Sequence, residues 1–315
     1  AAVQLVIGGS LTQTAGITQS LTITAHDSFS NTATSYTGNK SLTFSGAGTA
    51  TDGTQPTVAN SSGTAIAFGS TTVVNFSSGV ATVNSGKNGV LALYKAETAT
   101  ISATDGSISA AGGGELTVVV GPAGAQNLVI GGASTQTAGT TQSLTITAHD
   151  SFSNTAVSYT GGVSVTVSGA GAAPDGTLPT LAASSGVTVA LGNPLTLTFS
   201  SGVATVSGSS NGLLALYAAE TATISITDGL LDSSGGGDLT VVVSAGAATR
   251  LVFATQPSSA ASAGTNFAQQ PVVEVRDDFD NVPAVTDNIS LAAFTNSSCS
   301  VAASGTLSNS GPLAA

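Results

Sequence analysis

The sequence predicts an all-β protein built from repeated β-sandwich modules. The residues from Thr12 to Gly38 return from Thr135 to Gly161 with 25 of 27 positions identical, at a constant offset of 123 (135 − 12). Only Ile17 and Thr34 are exchanged, for Thr and Val. Apolar and hydroxyl-bearing residues alternate within the repeated stretch, as expected of half-buried strands. Charged residues make up 7% of the chain, against a usual share of about 25%. A long internal repeat of this kind indicates tandem copies of one structural unit.

The offset divides the 315 residues into repeat 1 (1–123), repeat 2 (124–246) and a partial, divergent repeat 3 (247–315). Repeat 3 retains Asp277, Phe279 and Asn281, which match residues 27, 29 and 31 once an insertion of four residues is allowed. Seven residues (121–127 and 244–250) separate the closing strand of one repeat from the opening strand of the next. Such short linkers predict a semi-stiff string of modules.

Period-two alternation assigns several side chains to the core of repeat 1. The predicted inward residues are Leu21, Ile23, Ala25, Leu42, Phe44, Ala99, Ile101 and Ala103. The short polar residues of Asp27–Asn31 predict a turn, with Phe29 tucked beneath it. Residues 46–70 and 169–193 are rich in Gly, Pro, Asn and Ser, and we interpret both as long variable loops.

Repeat 3 contains counterparts of the opening strands but none of the later ones. We expect either that the natural chain continues past Ala315 or that another subunit adds strands by β-augmentation. Continuation is favoured because the sequence stops in what we interpret as a loop, SNSGPLAA, and not at a repeat boundary.

The composition excludes some partners. A net charge of −11 lacks the cationic surface on which nucleic-acid binding depends. No apolar run approaches the roughly 18 residues that predict a membrane span. Cys299 is the only cysteine, so no disulfide forms within the chain, and we expect its side chain to be buried or half-buried.

The pattern AGT…LTITAHDSFSN…YTG…SSGVATV…AETATISATDG, together with LVFATQPSSAASAGT, resembles the tandem bacterial immunoglobulin-like repeats of large surface proteins, of the invasin-like or filamin-like kind. The resemblance implies tandem Ig-like Greek-key β-sandwiches arranged as a string of modules. It also implies roles as stalks, spacers or adhesive tips at the bacterial cell surface, and it supplies no catalytic residues.

Three sets of residues could carry chemistry. Gly208–Gly212 fits the G-x-S-x-G pattern of a hydrolase nucleophile elbow, but Ser210 corresponds to Lys87 in repeat 1, so we interpret the segment as a hairpin loop. His26 and His149 share one repeat position with Arg276, which predicts an exposed site without a metal.

Calcium candidates are Asp27, Asp150, Asp277, Asp278 and Asp280, whose carboxylates suit this ion. The alternative, which we favour, is that these aspartates bond their own backbone in turns. No other cofactor is expected.

The sequence therefore predicts a non-enzymatic structural repeat segment of a long extracellular bacterial surface protein or filament. Its expected partners are neighbouring modules of the same chain, with a homo-polymer formed by strand addition or side contacts as a further possibility. The alternative is an adhesin-type binding module that recognises a glycan or host protein through residues 46–70 and 169–193.

Overall fold

The structure is a computed structural model that describes residues 1–262, 264–285, 288–295, 297–303 and 313–314. These residues form strands, turns and bends and contain no helix, which confirms the predicted all-β class. No helix of the described residues is long and apolar enough to cross a membrane.

The strands recur at the sequence offset. The strands of repeat 1 are β1 (Gln4–Gly8), β2 (Thr12–Thr14), β3 (Thr18–Ser20), β4 (Thr22–His26), β5 (Gly38–Ser45), β6 (Thr57–Ala59), β7 (Ala65–Ala67), β8 (Thr71–Phe76), β9 (Val80–Thr82), β10 (Val90–Ala92), β11 (Thr98–Thr104) and β12 (Leu116–Gly121). Those of repeat 2 are β13 (Asn127–Gly131), β14 (Thr135–Thr137), β15 (Thr141–Ser143), β16 (Thr145–His149), β17 (Gly161–Ser168), β18 (Thr180–Ala182), β19 (Thr188–Ala190), β20 (Pro194–Phe199), β21 (Val203–Thr205), β22 (Leu213–Ala215), β23 (Thr221–Thr227) and β24 (Leu239–Ser244). The described strands of repeat 3 are β25 (Arg250–Thr255), β26 (Val272–Arg276), β27 (Asn288–Ile289) and β28 (Leu313–Ala314).

The strand order of repeat 1 is that of an immunoglobulin-like sandwich. One sheet has the order β1-β4-β9, and a second has the order β2-β12-β11-β5-β8. These correspond to the A-B-E and G-F-C strand sets of that fold. The pairs β1/β4, β5/β11 and β11/β12 are antiparallel, and β2 lies parallel to β12. A third sheet, β3-β10-β6-β7, is added to this framework. The predicted sandwich is therefore confirmed.

The core of repeat 1 lies between the two main sheets. Leu42, Phe44 and Ile101 are fully buried, and they belong to one hydrophobic cluster with Ile23 of the opposite sheet. All eight side chains predicted to face inward are buried. Complete burial of such aliphatic or aromatic side chains contributes about 1.5–3 kcal/mol each, so this cluster stabilises the module.

The chain divides into two compact units that interleave along the sequence. The first unit comprises residues 1–129, 147–161 and 199–203; the second comprises residues 130–146, 162–198 and 204–315. In the second unit β14, β24, β23 and β17 are consecutive neighbours, and β15-β22-β18-β19 form a four-stranded sheet. The domain limits 1–123, 124–246 and 247–315 remain a prediction.

Repeat 3 begins with the predicted strand pair. β25 lies antiparallel to β26, with a bulge between Phe253 and Thr255, as β1 lies antiparallel to β4. The final stretch differs from the prediction, because Leu313 and Ala314 form a short strand with β27 and not a loop. The rest of SNSGPLAA lies outside the described residues.

The interpretation of residues 46–70 and 169–193 as loops was wrong, and so was the expected burial of Cys299. Residues 46–70 contain the hairpin β6–β7, with Val58 fully buried, and residues 169–193 contain the hairpin β18–β19, with Leu181 fully buried. These strands have three residues each, which is too short to show alternation, so the sequence pattern did not predict them. Cys299 is exposed and not buried. Its left-handed φ of 52° places it in a turn.

Candidate functional site: three Asp-x-Phe-x-Asn turns and two seats

The same five-residue turn occurs at 27–31, 150–154 and 277–281. In the first, Asp27 Oδ1 accepts hydrogen bonds from the backbone N–H groups of Phe29 and Asn31, both at 2.9 Å. The aspartate of each other turn accepts the equivalent pair at the same 2.9 Å. The fourth residue is left-handed in all three, with φ of 63°, 60° and 65°. Each turn is therefore shaped by its own aspartate, as short polar side chains allow.

In the first compact unit, the turn at 150–154 binds a site that we call the seat. Asn154 Nδ2 donates to the carbonyl oxygen of Tyr94 at 2.8 Å, and the Ala96 N–H donates to Asn154 Oδ1 at 2.8 Å. The Ala123 N–H donates to Asp150 Oδ2 at 2.8 Å. Tyr94 and Ala96 follow β10, and Ala123 follows β12, so the seat consists of main-chain groups at strand ends.

The aromatic ring of the turn fills the remainder of the seat. Phe152 lies 5.0 Å from the Tyr94 ring, at an interplanar angle of 57°. It also covers Gly16, where an added Cβ would come within 2.6 Å of the Phe152 ring. The Gly16 N–H donates to the carbonyl oxygen of Leu93 at 2.8 Å, which fixes the glycine beside Tyr94. Aromatic pairs of this geometry contribute about 0.5–1.5 kcal/mol beyond burial.

The second compact unit repeats this arrangement with the turn at 277–281. Asn281 Nδ2 donates to the carbonyl oxygen of Tyr217 at 2.8 Å, and its Oδ1 accepts from the Ala219 N–H at 2.7 Å. Asp277 Oδ2 accepts from the Gly246 N–H at 2.8 Å. The Phe279 ring lies 4.9 Å from the Tyr217 ring and again covers a glycine, residue 139. The seat is therefore a repeated feature of the molecule.

Among the described residues, no seat covers the turn at 27–31, and the prediction that Phe29 lies beneath its turn was wrong. The Phe29 side chain is 83% exposed. Asn31 is exposed, whereas Asn154 and Asn281 are 7% and 3% exposed. The difference arises outside the turn, because residues 27–31 and 150–154 have the same sequence. The phenylalanine ring of a turn is therefore buried only where a seat covers it, and the sequence of the turn itself does not bury it.

Hydrogen bonds stabilise the ionised carboxylates of Asp150 and Asp277 despite their burial. Burial alone would raise the pKa of Asp150, but hydrogen bonds from Asn154 and from the backbone of residues 123, 152 and 154 lower it below the ordinary 3.8. The pKa of Asp277 is lowered in the same way, with Asn281 and Gly246 among the donors. Four or more hydrogen bonds to a buried carboxylate offset the cost of its desolvation.

The five calcium candidates lie in these turns, and Asp27, Asp150 and Asp277 each accept backbone hydrogen bonds within their own turn. Both carboxylate oxygens of Asp150 and of Asp277 already accept protein N–H groups. Asp280 accepts a contact of 2.6 Å from Arg250, and Asp278 is exposed. Among the described residues, no group of three or more His, Cys, Asp or Glu is placed to hold a metal ion. Asp27 has no second carboxylate in its turn.

The other candidates lie apart from the seats. His26 and His149 are half-buried, as is Arg276, so the prediction of an exposed position was wrong. Each histidine instead forms an isolated bridge with the first residue after its turn, Thr32 or Thr155. Ser210 lies in a tight turn bridged to Ser207, as expected of a loop. The flanking strands β21 and β22 belong to different sheets, so they do not form the predicted hairpin.

No protein-family model matches the chain, and no curated protein matches it in sequence. Among solved structures, the adhesin InvE of Yersinia pseudotuberculosis is 17% identical with a TM-score of 0.27, over 76% of this chain and 58% of the adhesin.

Domains 4–9 of the surface layer protein SbsC are 17% identical with a TM-score of 0.24, over 80% of this chain and 33% of that one. A β-glycosidase from Bacteroides vulgatus is 12% identical with a TM-score of 0.28, over 77% of this chain and 25% of the enzyme. TM-scores this low carry no argument, so the fold assignment rests on the strand order of the chain itself.

Proposed function

We propose that this chain is a non-enzymatic structural segment of a long extracellular bacterial surface protein or filament, in which copies of one β-sandwich serve as stalk, spacer or fibre-building modules. The observation that carries the proposal is the seated turn, which occurs with the same hydrogen bonds in each compact unit. By the predicted repeat limits, each seated turn belongs to one repeat and its seat to the repeat before it. The same connection therefore occurs twice, which supports a role in which copies are joined in series.

The chemistry of the seat supports the same role. Its hydrogen-bonding groups are main-chain N–H and C=O groups, which bind the turn without any catalytic or ligand-specific side chain. Each seated turn gains three hydrogen bonds from the seat, and each such bond contributes about 0.5–1.5 kcal/mol net. Together with the ring contact, this is enough to hold a short linker in one arrangement.

Surface labelling of intact cells of the source organism tests the proposal. Antibodies raised against residues 1–315 should label cells without permeabilisation, and brief external proteolysis should remove the label. A cytoplasmic protein of the same cells, probed in parallel, controls for leakage. Labelling that appears only after permeabilisation would refute the surface role.

A second function, an adhesin-type binding module, is supported by one groove in repeat 1. The groove has a volume of about 540 Å³, and its lining includes Asn39, Asn75, Asn84, Lys87 and Asn88. Side-chain amides can donate and accept hydrogen bonds, which suits the hydroxyl groups of a glycan. No lining residue is aromatic, so the groove lacks the stacking surface common at binding hot spots.

Repeat 2 provides the control for this second function. The positions of Asn39, Asn75 and Lys87 are taken there by Gly162, Thr198 and Ser210. A chain that carries N39G, N75T and K87S therefore keeps residues that the fold already accepts. Glycan-array binding by the natural chain that is lost in this variant would support the adhesin function, and absence of binding by the natural chain would exclude glycan recognition.

A further inference from the structure

The exposed turn Asp27–Asn31 has the internal form of a seated turn. Its aspartate makes the same two backbone hydrogen bonds, and its Ser30 has the same left-handed φ as Ser153. No rearrangement of the turn is needed for binding. Groups that are already ordered lose little conformational entropy when they dock.

The groups that a seat would bind are all available on this turn. The Phe29 ring is 83% exposed. In the described residues, the Asn31 side-chain amide contacts only the two carboxylate oxygens of Asp27, each at 3.4 Å, and Asp27 Oδ2 has no other hydrogen bond. These distances are long for a hydrogen bond. In the turn at 150–154 the corresponding atoms make seat contacts of 2.8 Å.

We propose that the Asp27–Asn31 turn is a docking element whose partner is the seat of a further copy of this repeat. The partner chemistry is specific: a carbonyl oxygen and an N–H for the Asn31 amide, a second N–H for Asp27 Oδ2, and a tyrosine ring beside a glycine for Phe29. The groups of the seat are uncharged and include N–H donors, so they can accept the Asp27 carboxylate of another acidic copy. The inference deepens the proposed structural function by naming the partner.

A tryptophan reporter tests the docking. The chain contains no Trp, so Phe29→Trp gives a single tryptophan, which can be excited selectively at wavelengths that tyrosine does not absorb. Phe152→Trp gives a matched reference in a seated turn. The test chain carries an additional copy of residues 1–123 fused before Ala1, which supplies a seat at the natural linker length. We expect the emission of Trp at position 29 to shift to the blue and its quenching by acrylamide to fall, toward the values of the reference.

The control is Asn31→Ala in the extended Phe29→Trp chain, which removes the amide that the seat would bind and should return the emission to that of exposed Trp. Identical emission at position 29 with and without the added copy, while the Phe152→Trp reference is blue-shifted, would overturn the proposal. If the reference is not shifted, hydrogen exchange of residues 27–31 in the extended chain with Phe29 retained decides: slower exchange than in the natural chain supports docking, and equal exchange overturns it.

A second experiment tests the same recognition between separate chains. Asp277→Ala with Asn281→Ala removes the side chains that hold the third turn and so opens the seat of residues 217–246 in a chain that also has its free first turn. Sedimentation velocity should show association that increases with concentration. Adding Asn31→Ala should restore the monomer; association that persists with Asn31→Ala would come from other exposed surface and would count against the proposal.

These experiments are independent of cellular location. Docking without surface labelling would mean that the turn binds a seat in a protein with another role. Surface labelling without docking would mean that the chain is a surface segment whose first turn does not bind another repeat.

Discussion

Replacing Asn154 by alanine measures the strength of a seated turn, with Asn31→Ala as its matched control. Asn154 loses two seat hydrogen bonds, to the Tyr94 carbonyl and from the Ala96 N–H. At about 0.5–1.5 kcal/mol each, the expected loss in unfolding free energy is about 1–3 kcal/mol. Asn31 has the same sequence neighbours but no seat, so its replacement should change the free energy by less than about 0.5 kcal/mol.

Urea unfolding of the full chain, followed by far-ultraviolet circular dichroism, compares the two variants. Hydrogen exchange at the Ala123 amide gives a local readout, because this N–H still donates to Asp150 in the variant. A loss of about 1–3 kcal/mol corresponds to exchange that is roughly 5 to 150 times faster. Equal effects of Asn31→Ala and Asn154→Ala, or unchanged exchange at Ala123, would refute the view that the seat stabilises the turn.

Three further predictions concern the same contacts. Gly16→Ala should destabilise the chain more than Gly38→Ala in thermal melts. Both glycines have φ near +80°, but only a Cβ at residue 16 would meet the Phe152 ring, at 2.6 Å. Equal destabilisation by the two changes would contradict the ring contact. Because the pKa values of Asp150 and Asp277 are lowered from 3.8, their contribution to stability is complete above that pH and is lost as the pH falls below it. Acid titration should therefore lower the melting temperature of the natural chain more than that of a chain carrying both Asp→Asn changes, and parallel curves would contradict this assignment. A chelator should leave the melting temperature unchanged, whereas a decrease would show a metal that stabilises the folded state.

The sequence predicted the core well because strand burial has a short period. Ala99, Ile101 and Ala103 alternate with Thr and Ser, and this alternation alone predicts that they face the core. All three are buried. The strand β6 was missed because three residues between Pro56 and Asn60 show no period. The core is therefore readable from local pattern wherever a strand is long enough.

Only part of the candidate site could be predicted from the sequence. The aspartates were recognised as turn residues from local composition, but the seats were missed. Residues 27–31 and 150–154 have the same sequence, yet Phe29 is exposed and Phe152 is half-buried. No local rule can separate them, since the contacts of residue 154 come from residues 94 and 96. One signal was available: repeat 3 keeps the Asp, Phe and Asn while its intervening serines become Asp278 and Asp280.

Because the seat binds the turn through main-chain atoms, this binding tolerates change in the side chains around the seat. Lys95 becomes Ala218 and Ala123 becomes Gly246 between the two seats, with the hydrogen bonds retained. A gene that encodes such units can gain or lose whole copies by unequal recombination, and each newly adjacent pair still meets through matching backbone groups. Length can then vary between descendants of one gene while the connection stays the same, and individual copies are free to diverge at their surfaces.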